Sequence, residues 1–139
     1  TDPSRFLAFD EALAAELGAL ALESPERTLT HFRKTRGYAN LPLDGLWLRG
    51  PYLHNGSVPT LRDLLRPPAE RPRQFFRGNN LLDSENGGFQ SGPCNPDTRY
   101  QFFFCYDTAL PGNGNGGHLF GTNSPEEDKR ALLEYLRAF

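Results

Sequence analysis

Pro51-Tyr52-Leu53-His54-Asn55-Gly56-Ser57-Val58-Pro59-Thr60-Leu61 is the stretch around which the rest of the sequence is organised. The pair Asn55-Gly56 favours a tight turn because both residues tolerate positive φ. Thr60, followed three residues later by Asp63, can cap the first turn of a short helix. The stretch therefore predicts that His54 lies on a turn, beside aromatic rings, directly before a helix begins.

A second motif lies near the end of the chain and reads Gly112-Asn113-Gly114-Asn115-Gly116-Gly117-His118. Alternating glycines also occur in dinucleotide-binding turns, but such a turn opens directly into a helix whose N-terminus faces the phosphate. The next helix signal here begins only at Ser124, so the motif disfavours nucleotide binding. Because glycine carries no Cβ, the loop instead permits close approach of the backbone to a flat or bulky ligand.

Together the two motifs resemble a known family. The first is preceded by Pro42-Leu43-Asp44-Gly45-Leu46-Trp47 and the second by Asp107-Thr108. In that order they resemble the C-terminal haem domain of bacterial c-type cytochromes of the di-haem cytochrome c peroxidase-like class, and especially the branch that includes the secreted rubber oxygenases. The resemblance implies a mainly α, cytochrome c-like domain portion with short helices, long ordered Gly/Pro-rich loops and at most a small β-hairpin.

The same resemblance assigns a role to the histidine of the glycine-rich loop. It implies that His118 is the distal axial ligand of the C-terminal haem iron. The residues that follow, Leu119 and Phe120, would supply apolar cover. The chain has no Met, so the Met ligation that is common in cytochromes is not available, and His118 is preferred over His54. Two imidazole ligands would favour a low-spin electron-transfer haem. A histidine bonded only to the backbone of its loop is the alternative.

Four further positions are candidates for contact with the cofactor. His54 would lie near the haem or near the interface between haem domains, and Trp47 would either lie on an electron path or fill the core. Tyr52 stands beside His54 in the first motif. Arg36 ends the basic run 31–36, which could pair with haem propionates, and a solvated charged face is the alternative.

The sequence departs from the family at the haem attachment site. Haem c is bound through Cys-x-x-Cys-His, whose His is the proximal ligand, and this chain contains no such motif. We therefore expect haem c to be attached to an N-terminal haem-bearing segment or subunit of the same cytochrome, with a redox partner protein. The expected function is electron transfer or peroxidase/oxygenase-type redox chemistry. The alternative is a haem-free accessory or protein-interaction module.

The only two cysteines, Cys94 and Cys105, flank a polar turn region. This spacing favours a disulfide, which would stabilise a loop of that size by about 2–3 kcal/mol and requires an oxidising compartment. Two buried thiols are the alternative. A zinc pair is disfavoured because no second Cys or His lies at the short spacing of a zinc knuckle. A Cys/His hydrolase is a weak candidate because the aromatic run beside Cys105 predicts a buried sulfur.

Composition limits the remaining possibilities. With 139 residues, the chain suits a single domain over 1–139, in which 66–99 forms a long loop insertion rich in Pro and Gly. A net charge of -2 and dispersed arginines disfavour nucleic acid as a partner. No apolar run approaches the roughly 20 residues of a membrane span. We expect a periplasmic or secreted location.

Periodicity predicts three regular elements. An amphipathic helix is expected over 3–20, and a strand or buried extended segment over 100–106. The final helix should begin with a capping box at Ser124-Pro125-Glu126-Glu127 and run to the end of the chain. Its predicted apolar face consists of Ala131, Leu132, Tyr135, Leu136 and Phe139.

Overall fold

The computed structural model describes residues 2–19, 37–38, 40–96, 99 and 102–139. It separates into two compact units. One unit comprises Thr1–Asp2 and Pro42–Phe139, and the other comprises Pro3–Leu41. The single-domain organisation expected from chain length stays a prediction.

The smaller unit contains two helices, α1 (Ser4–Ala8) and α2 (Glu11–Ala19). One continuous helix was expected over 3–20, and the interruption lies at Phe9, whose backbone is extended. Asp10 then accepts a hydrogen bond from the Leu13 N–H at 2.8 Å and so caps a new helix. The basic run 31–36 lies outside the described residues.

The larger unit places its short elements between long loops. Its helices are α3 (Leu61–Leu64) and α4 (Glu126–Leu136), and single 3-10 turns occupy Leu46–Leu48 and Pro68–Glu70. Strands β1 (Gln74–Arg77) and β2 (Phe104–Asp107) pair antiparallel. The predicted cap of α3 is confirmed, because the Thr60 hydroxyl accepts from the Asp63 N–H at 3.0 Å.

The hydrophobic core of this unit joins the first motif to the C-terminal helix. Its buried members are Tyr52, Val58, Leu61 and Leu133, and partly buried apolar side chains pack around them: Leu46, Trp47, Leu53, Leu64 and Leu136. Because Leu61 begins α3 and Leu133 lies in the middle of α4, this cluster fixes α3 against α4.

The C-terminal helix is confirmed, but its start and its orientation differ from the expectation. Pro125 is the N-cap residue, and it offers no side-chain hydrogen bond, so the predicted capping box is wrong. The buried position is Leu133, whereas Leu132 and Tyr135 of the predicted face are 38% and 61% exposed. The helix is therefore rotated about its axis relative to the face that the sequence suggested.

The expectation of a mainly α, cytochrome c-like class is wrong for the described residues. Their four α-helices are only 5, 9, 4 and 11 residues long. The sheet is not a hairpin, because β1 lies inside the segment 66–99, far along the chain from β2. The physical reason is that the dense Pro and Gly of that segment oppose helix, while Phe75 and Phe76 of β1 are buried.

The disulfide between Cys94 and Cys105 is confirmed. It ties the loop after β1 to the second residue of β2, the strand predicted within 100–106. None of the helices in the described ranges has the length and apolar character needed to cross a bilayer.

Candidate functional site

The two sequence motifs meet through hydrogen bonds from the first to the main chain of the second. The Asn55 side-chain amide donates to the carbonyls of Gly112 and Gly114, both at 3.0 Å. The hydroxyl of Ser57, which is fully buried, donates to the Gly114 carbonyl at 3.1 Å. The turn that carries His54 and the loop that carries His118 therefore belong to one hydrogen-bonded assembly.

The Asn55-Gly56 turn is also held by two side chains from the β-sheet. The Asn55 carbonyl accepts from the Tyr106 hydroxyl at 3.1 Å and from the Arg77 guanidinium at 3.3 Å. Arg77 also lies over the Tyr106 ring, with its guanidinium carbon 4.6 Å from the ring centroid. Residues of β1 and β2 thus fix the Asn55-Gly56 turn, and the side chain of Asn55 holds the glycine-rich loop.

Arg71 is the second anchor of the loop, and only 5% of it is exposed. In the described part of the chain its guanidinium donates to five main-chain carbonyls. Those of Leu64 and Arg66, at the end of α3, lie 3.1 Å away. The other three belong to the glycine-rich loop: Asn115 at 2.5 Å, Gly117 at 2.6 Å and His118 at 2.8 Å. Arg71 therefore joins the end of α3 to the main chain that presents His118.

The guanidinium of Arg71 is surrounded by main-chain carbonyls and is also influenced by the charge of a carboxylate. Burial lowers the pKa of its guanidinium, and the charge of Asp63 raises it. Arginine nevertheless stays protonated at neutral pH. The last carbonyls of a helix have no donor within the helix, and Arg71 supplies donors to two carbonyls at the end of α3. The glycine-rich loop turns three more carbonyls toward the same guanidinium.

His118 lies at the end of the loop in an unusual backbone conformation. Its φ is +58°, in the left-handed region that side chains other than glycine rarely occupy. Its ring meets the Phe120 ring edge to face, with centroids 5.5 Å apart. Leu119 is 62% exposed and Phe120 is 80% exposed. We refer to His118, Leu119 and Phe120 as the 118–120 tip, an imidazole beside apolar side chains on the surface.

The surroundings of the His118 imidazole favour its neutral form. Partial desolvation, and secondly the charge of Arg71, lower its pKa below the usual value, even though the residue as a whole is exposed. A neutral imidazole keeps a nitrogen lone pair available to a metal ion, whereas a protonated one does not. The tip therefore presents a potential metal ligand in the protonation state that ligation requires.

The other predicted site residues occupy different surroundings. His54 is half-buried on the predicted turn, and Trp47 is half-buried against the core. Tyr52 is a core residue whose hydroxyl donates to the Leu46 carbonyl at 3.1 Å, and burial raises the pKa of that hydroxyl. Arg36 lies outside the described residues. The contacts of these residues with a haem stay predictions.

Sequence reasoning missed the residues that hold the loop. Arg71 stands in the run Glu70-Arg71-Pro72-Arg73, which suggests a solvated, irregular segment. One signal could have found it, because a loop with so few side chains leaves carbonyls that need donors from elsewhere when they are buried. Asn55 and Ser57, two side chains with hydrogen-bond donors in the first motif, carried the same signal.

Two cavities of several hundred Å³ occur in the described part of the chain. One, of about 490 Å³, lies between the segment 62–70, which includes Arg62 of α3, and residues 126–133 of α4, and another, of about 420 Å³, lies beside Thr60 and Phe75. His118 lines neither cavity. No cluster of three or more His, Cys, Asp or Glu side chains that could hold a metal ion occurs within the described ranges. The 118–120 tip is therefore an exposed surface and does not line either of these cavities.

Comparison with known proteins places the first motif in a cytochrome context. Residues 37–77 match the family described as RoxA-like, cytochrome c-like. The uncharacterized protein y4iJ of Sinorhizobium fredii is 39% identical over 109 residues, which cover 72% of this chain and 17% of that protein. The uncharacterized protein y4iM of the same organism is 52% identical over 58 residues, 42% of this chain and 13% of its own length. The chain spans less than a fifth of the length of these curated relatives.

Proposed function

We propose that this chain closes the pocket of a haem c carried by another polypeptide segment, with His118 as the distal axial ligand. The match of residues 37–77 to a cytochrome c-like family suggests a haem-related redox role. One observation carries the finer proposal. The family-matched stretch supplies Asn55, Ser57 and Arg71, the side chains that hold the loop ending at His118.

The chemistry of the tip residues supports the proposal. His118 offers a neutral imidazole, while Leu119 and Phe120 offer exposed apolar surface that a porphyrin would remove from water. Glycines at 114, 116 and 117 leave little side-chain bulk in the loop that precedes His118. The bound haem would supply one-electron chemistry at its iron, and this chain would bind, orient and shield it.

The proposal requires a second segment. Both cysteines of the chain are joined to each other, so the thioether bonds of haem c would come from cysteines elsewhere. We propose a haem-bearing segment or subunit of the same cytochrome as that partner, and a redox protein as the electron donor or acceptor. The disulfide supports a periplasmic or secreted location, since such bonds persist in oxidising compartments.

The test is the coordination state of the iron in the complete protein that carries this chain. His118→Ala should convert one haem from six-coordinate low-spin to five-coordinate, as read from the Soret band and the visible bands. His54→Ala is the matched control and should leave the coordination state unchanged. An unaltered spectrum in His118→Ala would remove His118 from the ligand set.

A second function, a haem-free interaction module, is favoured by one observation. His118 lines neither of the larger cavities, and the apolar tip is exposed, as at a protein-binding surface. The two functions differ in a simple measurement. A complete protein purified from a host that matures c-type cytochromes shows a Soret band under the first proposal and none under the second.

A further inference from the structure

We infer that Arg71 is the positioning residue for His118: its guanidinium fixes the main chain of the glycine-rich loop so that the imidazole is held in one orientation. The inference rests on the proposed function for the identity of the ligand. It goes beyond that function because it states that a buried arginine, 47 residues away along the chain, controls the orientation of the ligand.

The backbone of His118 provides the first argument. A residue other than glycine in the left-handed region costs of order 1–2 kcal/mol and persists only where its surroundings impose it. Glycine would adopt this conformation without that penalty, and Gly116 and Gly117 stand immediately before it. The carbonyl of His118 is fixed by Arg71 at 2.8 Å, so the arginine is placed to impose the conformation.

The geometry of the guanidinium provides the second argument. Arg71 reaches Asn115, Gly117 and His118 through Nη1 and Nη2, and it reaches the end of α3 through Nε and Nη2. A planar fork with five N–H donors can satisfy both segments at once. A lysine ammonium has three donors at a single point. The arrangement is therefore specific to arginine. A positioning role requires this specificity, whereas a role that needed only a positive charge could be filled by lysine.

The first test uses the unaltered chain and so does not depend on a variant that folds. If the guanidinium is held by both segments, rotation about its Nε–Cζ bond is hindered, and NMR should give separate Nη1 and Nη2 resonances for Arg71. The exposed Arg62 of α3 is the internal control and should give one averaged resonance. An averaged signal from Arg71 would overturn the inference.

The second test links the anchor to the ligand in the complete protein. Arg71→Lys should loosen His118, so that cyanide, which competes for the same axial position, binds about tenfold more tightly, the equivalent of one hydrogen bond to a charged group. Arg62→Lys should leave cyanide affinity unchanged. Equal cyanide affinity in both variants would overturn the positioning role, since a purely structural arginine alters melting temperature without altering ligand competition.

The two proposals fail in different ways. If His118→Ala leaves the haem spectrum unchanged, the ligand assignment is wrong, while separate Nη resonances of Arg71 would still support the anchoring of the loop. If His118→Ala gives a five-coordinate haem but Arg71→Lys leaves cyanide affinity unchanged, His118 is the ligand and Arg71 does not position it.

Discussion

Removing the amide of Asn55 should weaken the connection between the two motifs and measurably destabilise the larger unit. Asn55→Ala deletes two hydrogen bonds of 3.0 Å to loop carbonyls, each with a net value of about 1 kcal/mol, so the expected loss in the free energy of unfolding is about 2 kcal/mol. Ser57→Ala deletes one bond, to the Gly114 carbonyl, at a fully buried position and should cost about 1–2 kcal/mol.

Because Asn55 and Ser57 share the Gly114 carbonyl, their effects should not be additive. The double variant should lose less than the sum of the two single variants, with a coupling of about 0.5–1 kcal/mol. Urea unfolding of the 139-residue chain, followed by the fluorescence of Trp47, measures all three free energies. Asn123→Ala is the matched control at an exposed position, and its free energy of unfolding should stay within about 0.5 kcal/mol of that of the original chain.

The reasoning would be refuted if Asn55→Ala cost no more than Asn123→Ala. It would also be refuted if the two single effects added fully, because independent effects would mean that the two side chains do not hold the same part of the loop. In the first case the loop would be held by its other contacts, those of Ser57 and Arg71 among them.

Three further predictions follow from the tip and the disulfide. His118→Gly should melt no lower than the original chain, because glycine adopts the left-handed conformation without penalty; a lower melting temperature in calorimetry would count against this. Since the pKa of His118 is lowered on folding, the unfolded chain binds more protons just below the ordinary imidazole pKa. The free energy of unfolding should therefore fall as the pH drops from 7 through about 6.5, and it should fall less in His118→Gln. If the unfolding free energy changes equally with pH in the two proteins, this prediction is wrong. Reducing the disulfide, or replacing Cys94 and Cys105 by Ser, should lower the free energy of unfolding by about 2–3 kcal/mol, and an unchanged urea midpoint would contradict this.

Local patterns in the sequence predicted local structure well. The Thr60 cap, the disulfide and the C-terminal helix each depend on residues a short distance apart, whose chemistry acts whatever surrounds them. The predicted face of that helix is wrong, because the apolar residues between 131 and 139 offer more than one stripe. Packing of Leu133 against Leu61 selected the stripe that is buried.

The fold class and the anchors of the site could not be obtained in the same way. The mainly α expectation came from the resemblance, whereas long Gly- and Pro-rich segments of this chain oppose helix and leave room for β1. Arg71 acts on carbonyls 44 to 47 residues away, a pairing that no periodicity encodes. The sequence could show that His118 ends a loop of glycines, but not that a buried arginine holds that loop.

The most direct measurement of the central claim is pulsed electron paramagnetic resonance of the complete protein with its histidines labelled with ¹⁵N, in the oxidised state. The account predicts nitrogen couplings from two axial imidazoles at one haem iron and the loss of one set in His118→Ala, with both retained in His54→Ala. Two unchanged sets of couplings in His118→Ala would show that the glycine-rich loop does not supply the ligand.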